Sequence, residues 1–357
     1  MKMNHDDRRG LWVALLPQRI RMQVLLPVLG MALAGTTNAQ AVGIGYCSAT
    51  ARTQLAACRG EVIDDYSTAS AICINESNST DRATCNRDAM TERRDHADLC
   101  EDQLEARLEV CEGVGEGRYD PAFDEARFVS DFRFPGVTNP YQPLAIGNTW
   151  DYASQSETSH IEVLSDTKLI DDVTCLVIRD QVSVDGNLKE DTDDWFAVAR
   201  NSGDVWYCGE EVKDYEVFEG DEPQNIELTR IDGSFKVDRD GAKPGIFVPA
   251  APVKGKVFRQ EYALGNAEDI VKVIETNYVY GKSAALDQFV PKGLADHLCA
   301  AGCVVTGEST PIEPDAFARK YYAKGIGVFL EVKPATGETN RLLDCNFDSR
   351  CNTLPQP

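Results

Sequence analysis

Apolar and polar residues alternate along much of the chain after residue 144, which is the pattern of half-buried β-strands. The clearest runs extend from Val173 to Val184 and from Leu188 to Val198. Asp185-Gly186 lies between them and favours the tight turn of a β-hairpin. Further runs bounded by turn residues span 149–152, 204–208, 234–237, 257–262, 270–280, 303–306, 316–322 and 327–332. The pattern predicts a series of antiparallel strands.

In this part of the chain, a helical pattern is found at Ala284 to Ala300. Because strands do not alternate with helices, the pattern argues against a parallel sheet. We therefore predict that residues 144–357 form a mainly antiparallel all-β domain, either a half-barrel or a sandwich.

The first third of the chain has helical spacing in its cysteines. Steps of 11 and 15 residues return close to the same face of an α-helix. A step of 11 and then a step of 15 separate Cys47, Cys58 and Cys73. The same steps in reverse order separate Cys85, Cys100 and Cys111. Two antiparallel helices with such faces can be joined by nested disulfides. The predicted pairs are Cys47–Cys111, Cys58–Cys100 and Cys73–Cys85.

A helical hairpin of this kind needs a turn and two helix ends. Residues 75–81 are polar, and Ser79, Thr80 or Asp81 can cap the second helix. Gly113 is predicted to end it. The predicted fold is thus α+β: a disulfide-stapled antiparallel helical hairpin at 40–113, an ordered connector rich in proline, glycine and aromatic residues at 114–143, and the β domain.

The cysteine count also bears on the cellular compartment. All 12 cysteines follow residue 39, and an even number in an exported chain favours disulfides over metal binding. By proximity, the remaining predicted pairs are Cys175–Cys208, Cys299–Cys303 and Cys345–Cys351.

Residues 1–39 have the features of a signal peptide: basic residues, an apolar run from Val24 to Ala34, and small residues before Ala39. Cleavage after Ala39 would deliver the protein to the periplasm or the medium. No segment approaches 18 consecutive apolar residues, so no membrane span is predicted. Thr36 stands where a lipid-anchored protein would need a cysteine.

The chain is acidic, with a net charge of −22. The first 39 residues carry five basic and two acidic side chains, so the remainder has a charge of −25. Nucleic acid and anionic membranes are poor partners for such a surface. A cation, an apolar small molecule or a protein of the cell envelope fits better, and the oligomeric state is not predicted.

A set of short motifs in the connector and the β domain includes 139–144, 241–246, 258–262, 268–269 and 320–327, the last reading Lys-Tyr-Tyr-Ala-Lys-Gly-Ile-Gly. Together they resemble a family of exported bacterial proteins of unknown function over residues 123–345. The final motif also resembles the last strands of periplasmic lipoprotein-like half-barrels, which hold apolar ligands or act as folding modules. The resemblance implies export but assigns no active site.

Two groups of residues are candidate sites. Acidic side chains flank two strands that a hairpin would pair, and they predict a cation site, with calcium as the candidate, against the alternative of a charged loop edge. They are Asp191, Asp193, Asp194, Glu210 and Glu211. The second group combines aromatic and charged residues that are candidates for ligand binding. Its members are Trp195, Trp206, Tyr207, Arg259, Glu261, Tyr262, Glu268 and Asp269.

Catalytic motifs such as a nucleophile elbow, a metalloprotease helix or a phosphate loop do not occur. We therefore predict a binding or envelope-support protein without a cofactor, apart from the calcium candidate. One alternative is a secreted hydrolase that uses paired carboxylates such as Glu261 and Glu268. Another is an interaction module that acts through apolar residues exposed on the hairpin.

Overall fold

The computed structural model describes residues 45–355. The predicted signal segment, residues 1–39, lies outside the described residues. After the connector, the alternating segments form fifteen strands of one antiparallel sheet. The strands are β1 Thr149–Ala153, β2 Glu157–Ile170, β3 Val173–Val184, β4 Asn187–Val198, β5 Val205–Glu211, β6 Asp214–Val217, β7 Ile226–Arg230, β8 Phe235–Lys236, β9 Gly245–Val248, β10 Val257–Arg259, β11 Ile270–Tyr278, β12 Cys303–Thr310, β13 Glu313–Ala323, β14 Gly327–Lys333 and β15 Glu338–Cys345.

The order of hydrogen-bonded strands is β10-β11-β12-β13-β14-β15-β1-β2-β3-β4-β5-β8, with β9 also on β5 and a side arm of β6 and β7 on β4. The first strand, β1, therefore lies between β2 and the last strand, β15. The sheet is not closed, although β9 lies beside β10. Gln260 Nε2 donates to the carbonyl of Phe247 at 3.0 Å there, and Lys243 bridges to Tyr262. The α+β prediction is confirmed, with an open curved sheet.

Two apolar cores follow from the alternation of side chains in β3 to β5. Phe196 and Tyr207 belong to the first core, whereas Trp195 and Trp206 belong to the second core on the opposite face. Phe128 of the connector is buried in the second core. The connector is therefore ordered along the sheet, although Phe134 is exposed.

The N-terminal part is a hairpin of two long helices, α1 Tyr46–Ile74 and α2 Ser79–Val114. Three disulfides join them as the cysteine spacing predicts: Cys47–Cys111, Cys58–Cys100 and Cys73–Cys85. Their Cα–Cα distances are 5.6, 5.8 and 5.5 Å. The helices must lie unusually close for such distances, which the alanines beside the cysteines permit.

Both predicted ends of α2 are wrong by a few residues. The side chain of Asn78, rather than that of Ser79, Thr80 or Asp81, caps the N-terminus by accepting from the Thr80 N–H at 2.8 Å. The helix continues through Gly113 and ends at Val114, and Gly115 supplies the positive φ of the cap. Gly113 instead packs against Val257 of β10, where its lack of a side chain permits close contact.

The innermost disulfide should stabilise the hairpin, because the two helices bury few apolar side chains on each other. Replacing both Cys73 and Cys85 by serine should lower the free energy of unfolding by about 3 kcal/mol, the chain-entropy value for a loop of this length. Urea unfolding of the variant and the native protein measures the difference. A change below about 1 kcal/mol would show that packing alone holds the hairpin tip.

The remaining predicted disulfides, Cys175–Cys208, Cys299–Cys303 and Cys345–Cys351, are also present. The single helix predicted over 284–300 is instead two short helices, α3 Ala284–Asp287 and α4 Lys292–Leu298. Phe289 has a positive φ of 66° between them, and Pro291 cannot continue a helix.

The hairpin and the sheet pack into one compact unit. Gln103 of α2 donates to the carbonyl of Ile312 at 2.9 Å, and Arg107 binds Glu268. These contacts fix the C-terminal half of α2 against the sheet. Within residues 45–355, none of the helices combines the length and the apolar composition that a bilayer crossing requires.

Candidate functional site

A cavity of about 420 Å³ lies where the hairpin, the connector and the turn after β10 meet. The start of α1 and the end of α2 form one wall, and residues 115–120 form the second. The third wall comes from β10 and the turn that follows it. Because these segments are far apart in the sequence, only the folded chain brings the cavity residues together.

A buried ion pair forms the floor of the cavity. Arg107 donates from Nε and Nη2 to the two carboxylate oxygens of Glu268, at 2.9 and 2.7 Å. Both side chains are almost fully buried, with 7% and 2% of their surface exposed. Glu268 also accepts from the Gly265 N–H at 2.7 Å. This carboxylate is therefore fully engaged in joining α2 to the turn.

Arg259 is a second cation in the cavity, and among residues 45–355 it forms no ion pair. The carboxylate whose charge acts on it is Glu268, which Arg107 already binds. Its guanidinium lies 5.4 Å from the ring centre of Tyr119 and 5.1 Å from that of Tyr262. Nη2 donates to Cys47 Sγ at 3.4 Å, and Nε is buried without a hydrogen-bond partner among the described residues. Burial lowers the pKa of Arg259, although the side chain remains a cation at any physiological pH.

The electrostatics of the cavity favour an anion. Besides Arg107 and Arg259, the walls carry Arg118 and Lys243, and the acids among the lining residues are Glu268 and Asp120. Glu268 is held by Arg107, and Asp120 is 2.8 Å from Lys243. Four cations against two paired anions give a net positive site on a chain whose net charge is −22.

Two aromatic residues of the cavity, Tyr119 and Tyr262, contact each other. Tyr119 donates its hydroxyl to the carbonyl of Pro244 at 2.8 Å, and its ring lies 4.9 Å from that of Tyr262. Burial raises the pKa of Tyr119 to about 12 and that of Tyr262 in the same direction, so both stay neutral beside Arg259. The site can hold an anionic group against a guanidinium while an apolar part contacts the rings.

Three of the residues predicted to bind a ligand, Arg259, Tyr262 and Glu268, line this cavity. The turn between residues 263 and 267, where Ala263 and Ala267 form a bridge, places them there. Of the three, only Arg259 and Tyr262 are free to meet a ligand, because Glu268 is bound to Arg107.

The other five lie elsewhere. Trp195 and Trp206 are buried in the second core, and Tyr207 belongs to the first core. The charges of Asp194 on β4 and Glu210 on β5 act on Glu261, and the charge of Asp269 acts on both Glu261 and Glu210. The predicted hydrolase pair of Glu261 with Glu268 does not form, since Glu268 lies in the cavity and Glu261 faces the other acids.

The sequence arguments missed the contributions of the hairpin and the connector. Arg107, Tyr119 and the disulfide Cys47–Cys111 line the cavity, yet none carries a local signature of binding. Arg107 is one of several arginines in the polar helix α2, so the sequence carries no signal that this one is buried.

The predicted cation site does not form as expected. Asp191 is held by Arg179, which donates to both of its oxygens at 2.7 and 2.6 Å, and the pKa of Asp191 is lowered by these bonds. Asp193 lies on the same face of β4, and Glu211 pairs with Lys213 at 3.0 Å. Among residues 45–355, no three acidic, histidine or cysteine side chains are grouped so as to hold a metal ion.

Asp194 and Glu210, the other two acids of that prediction, lie on the opposite face. They are directly opposed on β4 and β5. A β-bulge interrupts this pairing, because Trp195 pairs with Gly209 but the next residue, Phe196, pairs with Tyr207. The bulge places the side chains of Tyr207 and Glu210 on the same face of the sheet. A side chain at Gly209 would collide with the carbonyl of Phe235, so only glycine fits the bulge.

These two acids belong to a half-buried carboxylate cluster. Its members are Asp180, Asp194, Glu210, Glu261 and Asp269. Burial raises the pKa values of all five, to about 8 for Asp180, about 7 for Asp194 and about 9 for Glu210, and repulsion between neighbouring acids adds to the rise. Tyr207 donates its hydroxyl to Asp194, and the positive charge of Lys320 opposes the rise for Asp180, Asp194 and Asp269.

No protein-family model, curated protein or solved structure matches this chain. The resemblance of residues 123–345 to a family of exported bacterial proteins therefore stays a prediction. The site has to be interpreted from its own geometry and chemistry.

Proposed function

We propose that this is an exported binding protein whose cavity, between the helical hairpin and the sheet, takes a small organic anion. The ligand would carry a carboxylate or phosphate group on an apolar body. The observation that supports this most directly is Arg259, a half-buried guanidinium between two tyrosine rings. Its Nε has no hydrogen-bond partner among residues 45–355, and the nearby carboxylate of Glu268 is already bound to Arg107. A buried charge of this kind is costly unless a partner neutralises it.

The size and walls of the cavity agree with such a ligand. A volume of about 420 Å³ lies within the usual range for small-molecule sites. Apolar side chains complete the walls between the charged groups. They are Ala51, Val110, Val114, Leu264 and Pro311. An anion with an apolar body would therefore satisfy both the guanidinium and the surrounding surface.

Export is the second part of the proposal. Six disulfides among the described residues are typical of an oxidising compartment, and the signal-like features of residues 1–39 agree with it. The disulfide-stapled hairpin would then serve as a rigid wall of the site. A pre-formed wall lowers the entropic cost of binding.

The alternative of an interaction module depends on apolar side chains exposed on the hairpin. Ile63, Ile72, Ile74 and Met90 are exposed there. These side chains are compatible with an interaction surface but do not specify a partner. The cavity, in contrast, provides defined polar groups for a ligand. We therefore favour the binding of a small anion.

Isothermal titration calorimetry with phenyl phosphate and benzoate tests the proposal. We expect saturable binding of at least one of these aryl anions and no measurable binding of benzyl alcohol, which lacks the charge. Arg259→Met should weaken binding by about tenfold to a hundredfold, because a charge-assisted hydrogen bond contributes about 1.5 to 3 kcal/mol. Arg259→Lys should retain part of the affinity.

Lys254→Met is the matched control, since Lys254 is an exposed cation paired with Glu275 away from the cavity. Its affinity for the aryl anion should equal that of the native protein. The proposal fails if native protein binds neither anion, if benzyl alcohol binds as tightly, or if Arg259→Met binds like Lys254→Met.

A further inference from the structure

The disulfide Cys47–Cys111 lines the cavity, at the open end of the hairpin. Cys47 is in the first turn of α1, and Cys111 is in the last turn of α2. The two sulfurs therefore lie at opposite ends of two helix dipoles. A thiolate is stabilised at the N-terminus of a helix and disfavoured at the C-terminus.

Arg259 adds a second and independent effect on the same sulfur. Its Nη2 donates to Cys47 Sγ at 3.4 Å. A guanidinium beside a thiolate stabilises the negative charge, as it does in reactive cysteines. Both effects act on Cys47, so Cys47 is the better leaving group of this disulfide.

The other hairpin disulfides lack this environment. Cys58–Cys100 joins the middle parts of both helices, and the neighbouring Arg59 is paired with Glu101. Cys73 lies at the C-terminal end of α1, and Cys85 is in the second turn of α2. Yet Cys58 and Cys85 are half-buried and thus more exposed than Cys47. Exposure and electrostatics therefore predict opposite orders of reduction.

We propose that Cys47–Cys111 is a thiol–disulfide exchange site for a small dithiol that enters the cavity. One thiolate of the dithiol attacks Cys111 Sγ, the protein S–S bond breaks, and its electron pair leaves with Cys47 as a thiolate beside Arg259. The second thiol of the dithiol loses its proton to solvent. The resulting thiolate attacks the first sulfur of the dithiol, which is bonded to Cys111 in the mixed disulfide. Cys111 leaves as a thiolate and takes up a proton. The dithiol is oxidised by two electrons and the protein disulfide is reduced.

The exchange would also change ligand binding in the cavity, a consequence that rests on the proposed function. The Cys47 thiolate would neutralise Arg259 and remove the site for an anion. Reduction would therefore release the bound ligand, and the reverse exchange with the oxidised, disulfide form of the dithiol would restore binding. The reactivity of the disulfide itself does not depend on the presence of a ligand.

Graded reduction of the folded native protein tests the inference. Samples are treated with increasing dithiothreitol, blocked with N-ethylmaleimide and mapped by mass spectrometry. We expect Cys47 and Cys111 to be labelled at a dithiothreitol concentration about tenfold lower than the cysteines of the other two hairpin disulfides. Labelling of Cys58–Cys100 or Cys73–Cys85 at the same or a lower concentration would overturn the proposal.

Two variants test whether the charge of Arg259 or the solvent exposure of the sulfurs determines which disulfide is reduced first. Arg259→Met should abolish the preference, whereas Arg59→Met, next to the more exposed Cys58, should keep it. Preference retained in Arg259→Met would contradict the role of the guanidinium. If Arg259→Met loses its native circular dichroism, Arg259→Lys replaces it and should keep the preference.

A second measurement uses Cys111→Ala, in which Cys47 is a free thiol. The thiolate absorbance of Cys47 should titrate with a pKa below about 7, and a value near the ordinary 8.5 would contradict the proposal. Neither measurement uses the aryl anions, so failure here is distinct from failure of the proposed anion site. Loss of phenyl phosphate binding on selective reduction would connect the two.

Discussion

Replacing Arg107 by methionine should lower the free energy of unfolding by about 3 to 5 kcal/mol, the usual effect of removing one partner of a buried ion pair. Arg107 and Glu268 bind each other through two hydrogen bonds, at 2.9 and 2.7 Å, and are almost fully buried. The variant leaves the carboxylate of Glu268 buried with only the Gly265 N–H as a partner. Urea unfolding at neutral pH measures the loss.

Arg133→Met is the matched control for this change. Arg133 and Asp131 form the same two-bond arrangement, at 2.9 and 2.8 Å, but on the surface. Solvent screens an exposed pair, so its loss should change stability little. The double variant Arg107→Met with Glu268→Leu should recover much of the stability, because no buried charge is left unpaired. Equal losses for Arg107→Met and Arg133→Met would show that the ion pair does not hold the hairpin to the sheet.

The protein should become less stable as the pH rises from about 5 to about 8, by at least about 4 kcal/mol. The cause is the carboxylate cluster, in which burial raises the pKa values of Asp180, Asp194 and Glu210 to about 8, 7 and 9. In the unfolded chain these groups ionise near pH 4. Their stabilising effect is therefore complete below pH 4 and is lost as the pH rises towards the folded values.

The size of the effect follows from proton linkage. The folded state retains protons that the unfolded state has released, and each one lowers stability by about 1.4 kcal/mol per pH unit. A single retained proton over three pH units already gives about 4 kcal/mol, so this value is the lower bound for the three groups together. Carboxylates with lowered pKa values, such as Asp191 and Asp348, are ionised in both states above pH 5 and do not change this slope.

Glu210→Gln should raise the melting temperature at pH 8 and flatten its dependence on pH. Glutamine keeps the shape of the side chain but removes a carboxyl group that must take up a proton when the chain folds at this pH. Glu211→Gln is the adjacent control, since Glu211 lies on the opposite face, pairs with Lys213 and has a lowered pKa. Differential scanning calorimetry over the pH range measures both. Identical slopes for the two variants would contradict the assigned role of the cluster.

Much of the architecture could be predicted because local patterns determine it. Cysteine spacing places three sulfurs on one face of each helix, and Asp185-Gly186 adopts the two positive φ values of a tight hairpin. The strand β2, in contrast, was missed over Glu157–Ile170 because its sequence is largely polar and only a few of its side chains are buried. Its hydrogen bonds to β1 and β3, rather than its own pattern, hold it in the sheet.

The candidate site could be predicted only in part, for reasons of distance and of strand geometry. Arg259 and Tyr262 are neighbours in the sequence, but Arg107 meets Glu268 across 161 residues, and no local pattern reports such a contact. The predicted cation site does not form because Asp193 and Asp194 alternate across β4, as Glu210 and Glu211 do across β5. The acids are therefore divided between the two faces of the sheet.

The most direct test of the central claim is the nuclear magnetic resonance signal of the Arg259 Nε–H group. In protein containing isotope-labelled arginine, this signal is assigned as the one missing from Arg259→Met. Titration with phenyl phosphate should shift it in a saturable way, while the Nε–H signal of Arg107, already bound to Glu268, stays in place. An Arg259 signal that does not move at saturating phenyl phosphate would contradict an anion site at this guanidinium.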